Sequence, residues 1–237
     1  MSMRSDVHQV RGLELAFHTW GARDLPVLLF LHGFMDCGRS FAPIARRLSA
    51  QFQVVAPDMR GFGHSGWVGA GGYYHFYDYF SDVAALLRHL DVSRFHLVGH
   101  SMGGSIATGV GALLPGRCLS MVLLEGLGPA ADPAAETAHR LRAWLTDVDA
   151  EALRGGRDER AARRKVMAGV DEAGARLLRH NPRLAAQQVS SLVAALTEPA
   201  GGEHPAEALV WRHDPLHLTR AAKPFILDRA RSIWAQL

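Results

Sequence analysis

The residues best placed to do chemistry are Gly99-His100-Ser101-Met102-Gly103-Gly104, a serine set among small residues. The run directly follows the apolar stretch Phe95 to Val98 and opens the helix-prone stretch Ser105 to Leu114. A serine at the apex of a strand-to-helix turn must adopt a strained backbone, and Gly99 and Gly103 are small where neighbouring chain comes close. The turn aims the hydroxyl outward and brings the following amide and the helix N-terminus towards any oxyanion that develops. The chemistry implied is attack on a carbonyl by Ser101. The plainer alternative is a glycine-lined turn at which the serine caps a helix, but the strand-turn-helix context favours the nucleophile.

A second element follows the apolar run Val27 to Leu31: His32-Gly33-Phe34. Glycine there lets a backbone N–H point into a site, so the amides of Phe34 and Met102 would together form an oxyanion hole. Taken alone, these residues read better as a strand-to-loop turn with His32 hydrogen-bonded structurally. Paired with the serine turn, the oxyanion reading becomes the better one.

Positioning these groups requires a rigid frame, and the chain supplies its pattern. Val27 to Leu31, Gln53 to Ala56, Phe95 to Val98 and Ser120 to Leu124 are short apolar runs bounded by Gly, Pro or polar residues. Continuous apolarity at that length fits strands covered on both faces, as in parallel sheets. Between them, Ser40 to Leu48 and Tyr77 to Leu90 repeat apolar residues at helical spacing. The alternation predicts an α/β fold with a doubly wound, mostly parallel sheet. Val10 to Trp20, turning about Gly12, reads as an antiparallel hairpin leading into it. From Pro133 to about Arg220 the chain is rich in Ala, Arg and Leu and shows no convincing strand, which predicts a helical cap insertion. Pro224 suits the start of a final helix. The expected division is a core over 1–128, a cap over 129–222 and a returning helix over 223–237.

Composition narrows the function classes. With 237 residues, 48% of them hydrophobic, the chain can bury a self-sufficient core. A formal net charge of +3 is mildly basic and nominates neither a nucleic-acid nor a membrane partner. The N-terminus lacks the apolar stretch of a secretory signal, and no run reaches membrane-spanning length. Cys37 and Cys118 lack metal or redox spacing, so both read as reduced thiols of a cytoplasmic protein. No metal-ligand spacing, phosphate-loop lysine or dinucleotide glycine pattern is present, so chemistry without cofactor or metal is expected. The basic run Arg154 to Lys165, interleaved with Asp158 and Glu159, reads as a solvated helix face. The aromatic cluster from Tyr73 to Phe80 reads as packing on the core or towards the cap.

The succession of His32-Gly33-Phe34, the loop Asp58-Met59-Arg60-Gly61-Phe62-Gly63-His64-Ser65 and Gly99 to Gly104 resembles the α/β-hydrolase superfamily, especially its cap-bearing serine hydrolases and esterases. Leu124-Glu125-Gly126-Leu127-Gly128-Pro129 and Trp211-Arg212-His213-Asp214-Pro215 are similar to a subgroup called serine hydrolase-like proteins. The resemblance implies that the loop is architectural, with Asp58, Arg60 and Ser65 bracing it. It also implies two further strands carrying an acid and a histidine, for which the chain, ending at Leu237, offers no matching positions. Without a base a serine hydroxyl is a poor nucleophile, and loss of serine or histidine from such a triad costs about 10⁶-fold in turnover.

Two substitutes are weighed. Glu125, at the end of the sixth strand, could serve as the acid, although a strand-end carboxylate bonded to loop amides is the favoured reading. For the base, His213, His217, His32 and His100 are available, with His217 or His213 the only ones entertained, and the expectation is that none reaches Ser101. The function expected is hydrolysis of a small ester or related acyl compound by Ser101 in a cleft between sheet and cap. The alternative is a catalytically silent hydrolase-like protein that binds a ligand or partner. Ser120 to Leu124 should form an exposed sheet edge open to self-association.

Overall fold

The computed structural model describes residues 2–127, 134–150, 155–219 and 226–237. Six strands form one sheet: β1 (Arg4–Val10), β2 (Leu13–Trp20), β3 (Val27–Leu31), β4 (Gln53–Pro57), β5 (Phe95–His100) and β6 (Cys118–Leu124), in the order β1-β2-β4-β3-β5-β6. β3 runs parallel to β4 and β5, and β5 parallel to β6, while β1 and β2 are antiparallel. The predicted doubly wound, mostly parallel sheet is therefore the observed one. The hairpin turns through Arg11 and Gly12, both with positive φ (50° and 79°), as a tight two-residue connection requires. Its first strand reaches back to Arg4, further than hydropathy indicated, because most of β1 is solvent-exposed and polar.

β3 shows why its apolarity is continuous. Val27, Leu29 and Leu31 join one core cluster with Phe17, Leu86, Leu97 and Ile106, while Leu28 and Phe30 join another with Trp20, Ala45 and Val54. Alternate side chains of one strand thus serve two cores, covered by α2 (Asp78–His89) and α3 (Met102–Leu113) on one side and α1 (Ala42–Leu48) on the other.

Between β6 and the last helix lie α4 (Thr137–Val148), α5 (Arg157–Ala162), α6 (Val170–His180) and α7 (Ala186–Leu196). One expectation needs correcting here: this region does hold strands, β7 (Thr197–Pro199) and β8 (Leu209–Trp211), paired antiparallel. Three-residue strands are too short to show an alternation in sequence. The final helix is α8 (Leu227–Trp234), and Pro224, expected at its start, lies outside the described residues.

The basic run is also corrected. Arg160, expected on a solvated face, is 2% exposed and pairs with Asp214. Arg164 bonds Glu198 at 2.6 Å and the carbonyl of Trp211 at 3.1 Å. The segment after β8 is further tied to the loop after β4 by Gly63 N–H to Arg212 O and Asp214 N–H to Gly61 O, each 2.8 Å.

Candidate active site

Ser101 is the single residue between β5 and α3, with φ 50° and ψ −116°. A non-glycine residue held there costs on the order of 1–3 kcal/mol and persists only where its surroundings fix it. Those surroundings are backbone. Ser101 N–H donates to Leu124 O at 2.8 Å, and Ser101 O accepts from Gly104 N–H at 2.9 Å. A Cβ on Gly103 would overlap the Leu31 carbonyl, and one on Gly104 would overlap Gly126. The end of β3, the serine turn and the segment after β6 therefore interlock only because these positions lack side chains. The serine makes no side-chain capping bond to α3, which disfavours the plain capping role.

Gly33 stands against this turn: a Cβ there would lie 2.8 Å from His100 Nδ1 and 3.4 Å from the Cβ of Ser101. Neither the Phe34 nor the Met102 amide N–H has a partner among the described residues. The Phe34 ring is 49% exposed and meets Phe62 and His217 edge-on, at 5.9 and 6.3 Å between centroids.

All thirteen histidines fall within the described residues, and none bonds the Ser101 hydroxyl. His217 is sandwiched between Phe62 and Tyr74, each 3.9 Å away, and its Nε2–H donates to Arg60 O at 3.2 Å. Burial pushes its pKa down to about 3. His213 is buried beside Phe62, and burial, with Arg164 adding to it, lowers its pKa to about 4. His32 braces the turn, with Nδ1–H donating to Gly33 O at 2.7 Å and Nε2 accepting from Met59 N–H at 2.8 Å. Glu125 follows directly on Leu124 with φ 59°, and its exposed carboxylate bonds none of the described residues. Gly33 and Ser101 are thus brought together, whereas Glu125 and His217 are not joined into an acid–base pair.

The loop after β4 is braced as expected. Asp58 accepts Gly38 N–H at 2.7 Å and His64 N–H at 2.8 Å. Burial alone would raise its pKa, but the bonds from His18 and His64 prevail and hold it well below the usual carboxylate range. Ser65 Oγ donates to Asp58 O and accepts from Ala16 N–H, and Arg60 forms a two-point pair with Asp82. Sequence reading missed that His18, Asp58 and His64 converge within 4.8 Å, because His18 stands 40 positions before Asp58. Arg212 Nη1 donates to His64 Nε2 at 2.8 Å. The ring proton must then sit on His64 Nδ1, 3.5 Å from Asp58 Oδ2, so that nitrogen is already committed as a donor.

The family model described as "alpha/beta hydrolase fold" matches residues 26–217. The chain belongs to the α/β-hydrolase fold family. Among curated relatives, a 3-hydroxybutyrate-oligomer hydrolase of Cupriavidus necator is 36% identical over 55% of this chain and 44% of its own. A serine hydrolase-like protein of Danio rerio is 30% identical over 80% of this chain and 57% of its own. The chain thus spans about half the length of these relatives. Among solved structures, a hypothetical protein of Pseudomonas aeruginosa PAO1 is similar with a TM-score of 0.81 and 26% identity, covering 98% of this chain and 77% of that one. Within the α/β-hydrolase fold, the one-residue junction between β5 and α3 holds Ser101 at positive φ, with Gly103 and Gly104 close against neighbouring backbone.

Proposed function

We propose that this α/β-hydrolase hydrolyses a small ester or related acyl compound, with Ser101 attacking the carbonyl and the Phe34 and Met102 amides holding the oxyanion. The observation that carries this reading is the backbone of Ser101, strained and locked yet serving no capping bond. A strained residue that its surroundings over-determine points to use rather than accident. In the reaction the serine oxygen gives up its proton and bonds the acyl carbon, the carbonyl oxygen becomes anionic against the two amides, the alcohol leaves with that proton, and water then cleaves the acyl-serine to release the acid and restore the hydroxyl. Each oxyanion donor contributes roughly 3–4 kcal/mol to the barrier in comparable sites. The cytoplasm is the proposed setting, in keeping with Cys37 and Cys118, both free thiols.

A second reading is favoured by one observation: no histidine bonds Ser101, and His217 is engaged with Arg60. On that reading the chain binds an acyl ligand or partner without turning it over. Fluorophosphonate labelling and hydrolysis of p-nitrophenyl acetate, each compared with Ser101→Ala, separate the two. Serine-dependent labelling with turnover supports the enzyme, and labelling with turnover equal to the variant supports the silent binder. Equal labelling of both proteins at peptide 95–117 would remove Ser101 as nucleophile.

A further inference from the structure

Away from the serine turn, another serine heads a serine–histidine–carboxylate line. Ser5 on β1 sits directly opposite His18 on β2. Ser5 Oγ lies 2.8 Å from His18 Nδ1, and His18 Nε2 lies 3.3 Å from Asp58 Oδ1 and 3.4 Å from Oδ2. The serine is exposed, while the histidine and the aspartate are buried. Because Asp58 is an ionised acceptor fixed by the Gly38 and His64 amides, it calls for a proton on His18 Nε2. Nδ1 then carries the lone pair that receives the Ser5 hydroxyl proton. An ionised acid fixing the tautomer of a base that faces a hydroxyl is the arrangement that activates a serine.

The molecule contains its own contrast. His96 Nδ1 and Ser120 Oγ, opposed across β5 and β6, are also 2.8 Å apart, with the serine exposed and the histidine half-buried. Among the described residues no carboxylate bonds the far nitrogen of His96. The two pairs share the contact and differ in the acid behind it.

We propose that Ser5 is a second nucleophilic hydroxyl, which takes an acyl or phosphonyl group from an activated donor such as an aryl ester or a fluorophosphonate, with His18 as base and Asp58 as its positioning residue. The Ser5 proton passes to His18 Nδ1 as the Oγ–acyl bond forms. The bond from the acyl carbon to the leaving group then breaks, and the leaving group takes the proton from His18. Ser5 lies on the edge strand of the sheet rather than in a cleft, so the product is a stoichiometric adduct.

The test uses the full chain carrying Ser101→Ala, treated with a fluorophosphonate and sampled over time, with tryptic peptides 5–11 and 118–140 followed by mass spectrometry. The expected result is labelling of peptide 5–11 at Ser5, roughly tenfold or more faster than Ser120 in the other peptide, because an orienting acid multiplies the efficiency of its base. Adding Ser5→Ala should remove the label from that peptide. Both serines are compared within one folded molecule, so no substitution of the embedded Asp58 is needed. No label on Ser5, or a rate no greater than that of Ser120, overturns the proposal.

Discussion

Arg160 and Asp214 meet through two parallel hydrogen bonds, Nε to Oδ1 at 2.8 Å and Nη2 to Oδ2 at 2.7 Å, with both side chains buried. Asp214 also accepts the Tyr74 hydroxyl at 2.8 Å and Leu216 N–H at 3.0 Å. Arg160 also donates to Gly155 O and Val68 O. The pair therefore joins α5, the segment after β8 and the loop that leads into α2. Removing one partner strands a buried charge, at a cost of about 3–5 kcal/mol. Arg160→Met should lower the free energy of urea unfolding by that amount, while Arg160→Met combined with Asp214→Leu should lose less than the sum of the single changes. Additive losses would show that the two charges are not coupled.

The glycine interlock predicts a different kind of loss. Gly103→Ala places a methyl group against the Leu31 carbonyl, and the resulting overpacking typically costs about 1–3 kcal/mol. Because the clash lies between the serine turn and the end of β3, fluorophosphonate labelling at Ser101 should fall by at least as large a factor as stability does. Gly69→Ala, where a Cβ would meet nothing within 4 Å, should leave labelling unchanged. Wild-type labelling in the Gly103→Ala protein would show that the close approach is not needed to set the serine.

Acid should weaken the fold through His217 and His213. Their pKa values drop from 6.5 to about 3 and about 4 because burial disfavours the charged rings. The unfolded chain then binds protons that the folded chain cannot, so stability holds above pH 6.5 and falls as the pH drops towards 4. Each histidine contributes a slope of about 1.4 kcal/mol per pH unit inside that window. Denaturant unfolding between pH 7 and 4.5 checks this, and His217→Phe should flatten the slope by about one proton. An unchanged slope would mean that the ring is charged when stacked.

The β6 edge should support self-association. Leu119, Val122 and Leu124 are 44%, 50% and 45% exposed on a strand that, among the described residues, has a neighbour on one side only. An unpaired apolar edge is a template for pairing. Light scattering is expected to show mass rising with concentration, and Val122→Lys should suppress the rise. A constant monomer mass across the range would count against pairing at this edge.

The sequence by itself determined the frame and the position of the candidate nucleophile. Apolar runs such as Val27 to Leu31 announce strands covered on both faces, because every side chain of β3 must find a core. The glycines around Ser101 are legible because close backbone approach demands a residue type that few other roles require. The same local logic read His32 as a brace, and its Nδ1–H does bond the adjacent Gly33 carbonyl.

Tertiary structure alone decided the rest. Arg160 lies in a run whose charge spacing fits a solvated face, and only its distant partner Asp214, 54 positions away, makes burial favourable. His217 could be weighed as a base from sequence, but its ring is placed by stacking on Phe62 and Tyr74, contacts that carry no local signature. His18 reaches Asp58 across 40 positions because β2 and β4 pair antiparallel, and Ser5 joins them because β1 folds back on β2. Hydropathy and turn chemistry act between near neighbours along the chain, whereas a partner for a buried charge or a ring exists only once distant segments have packed.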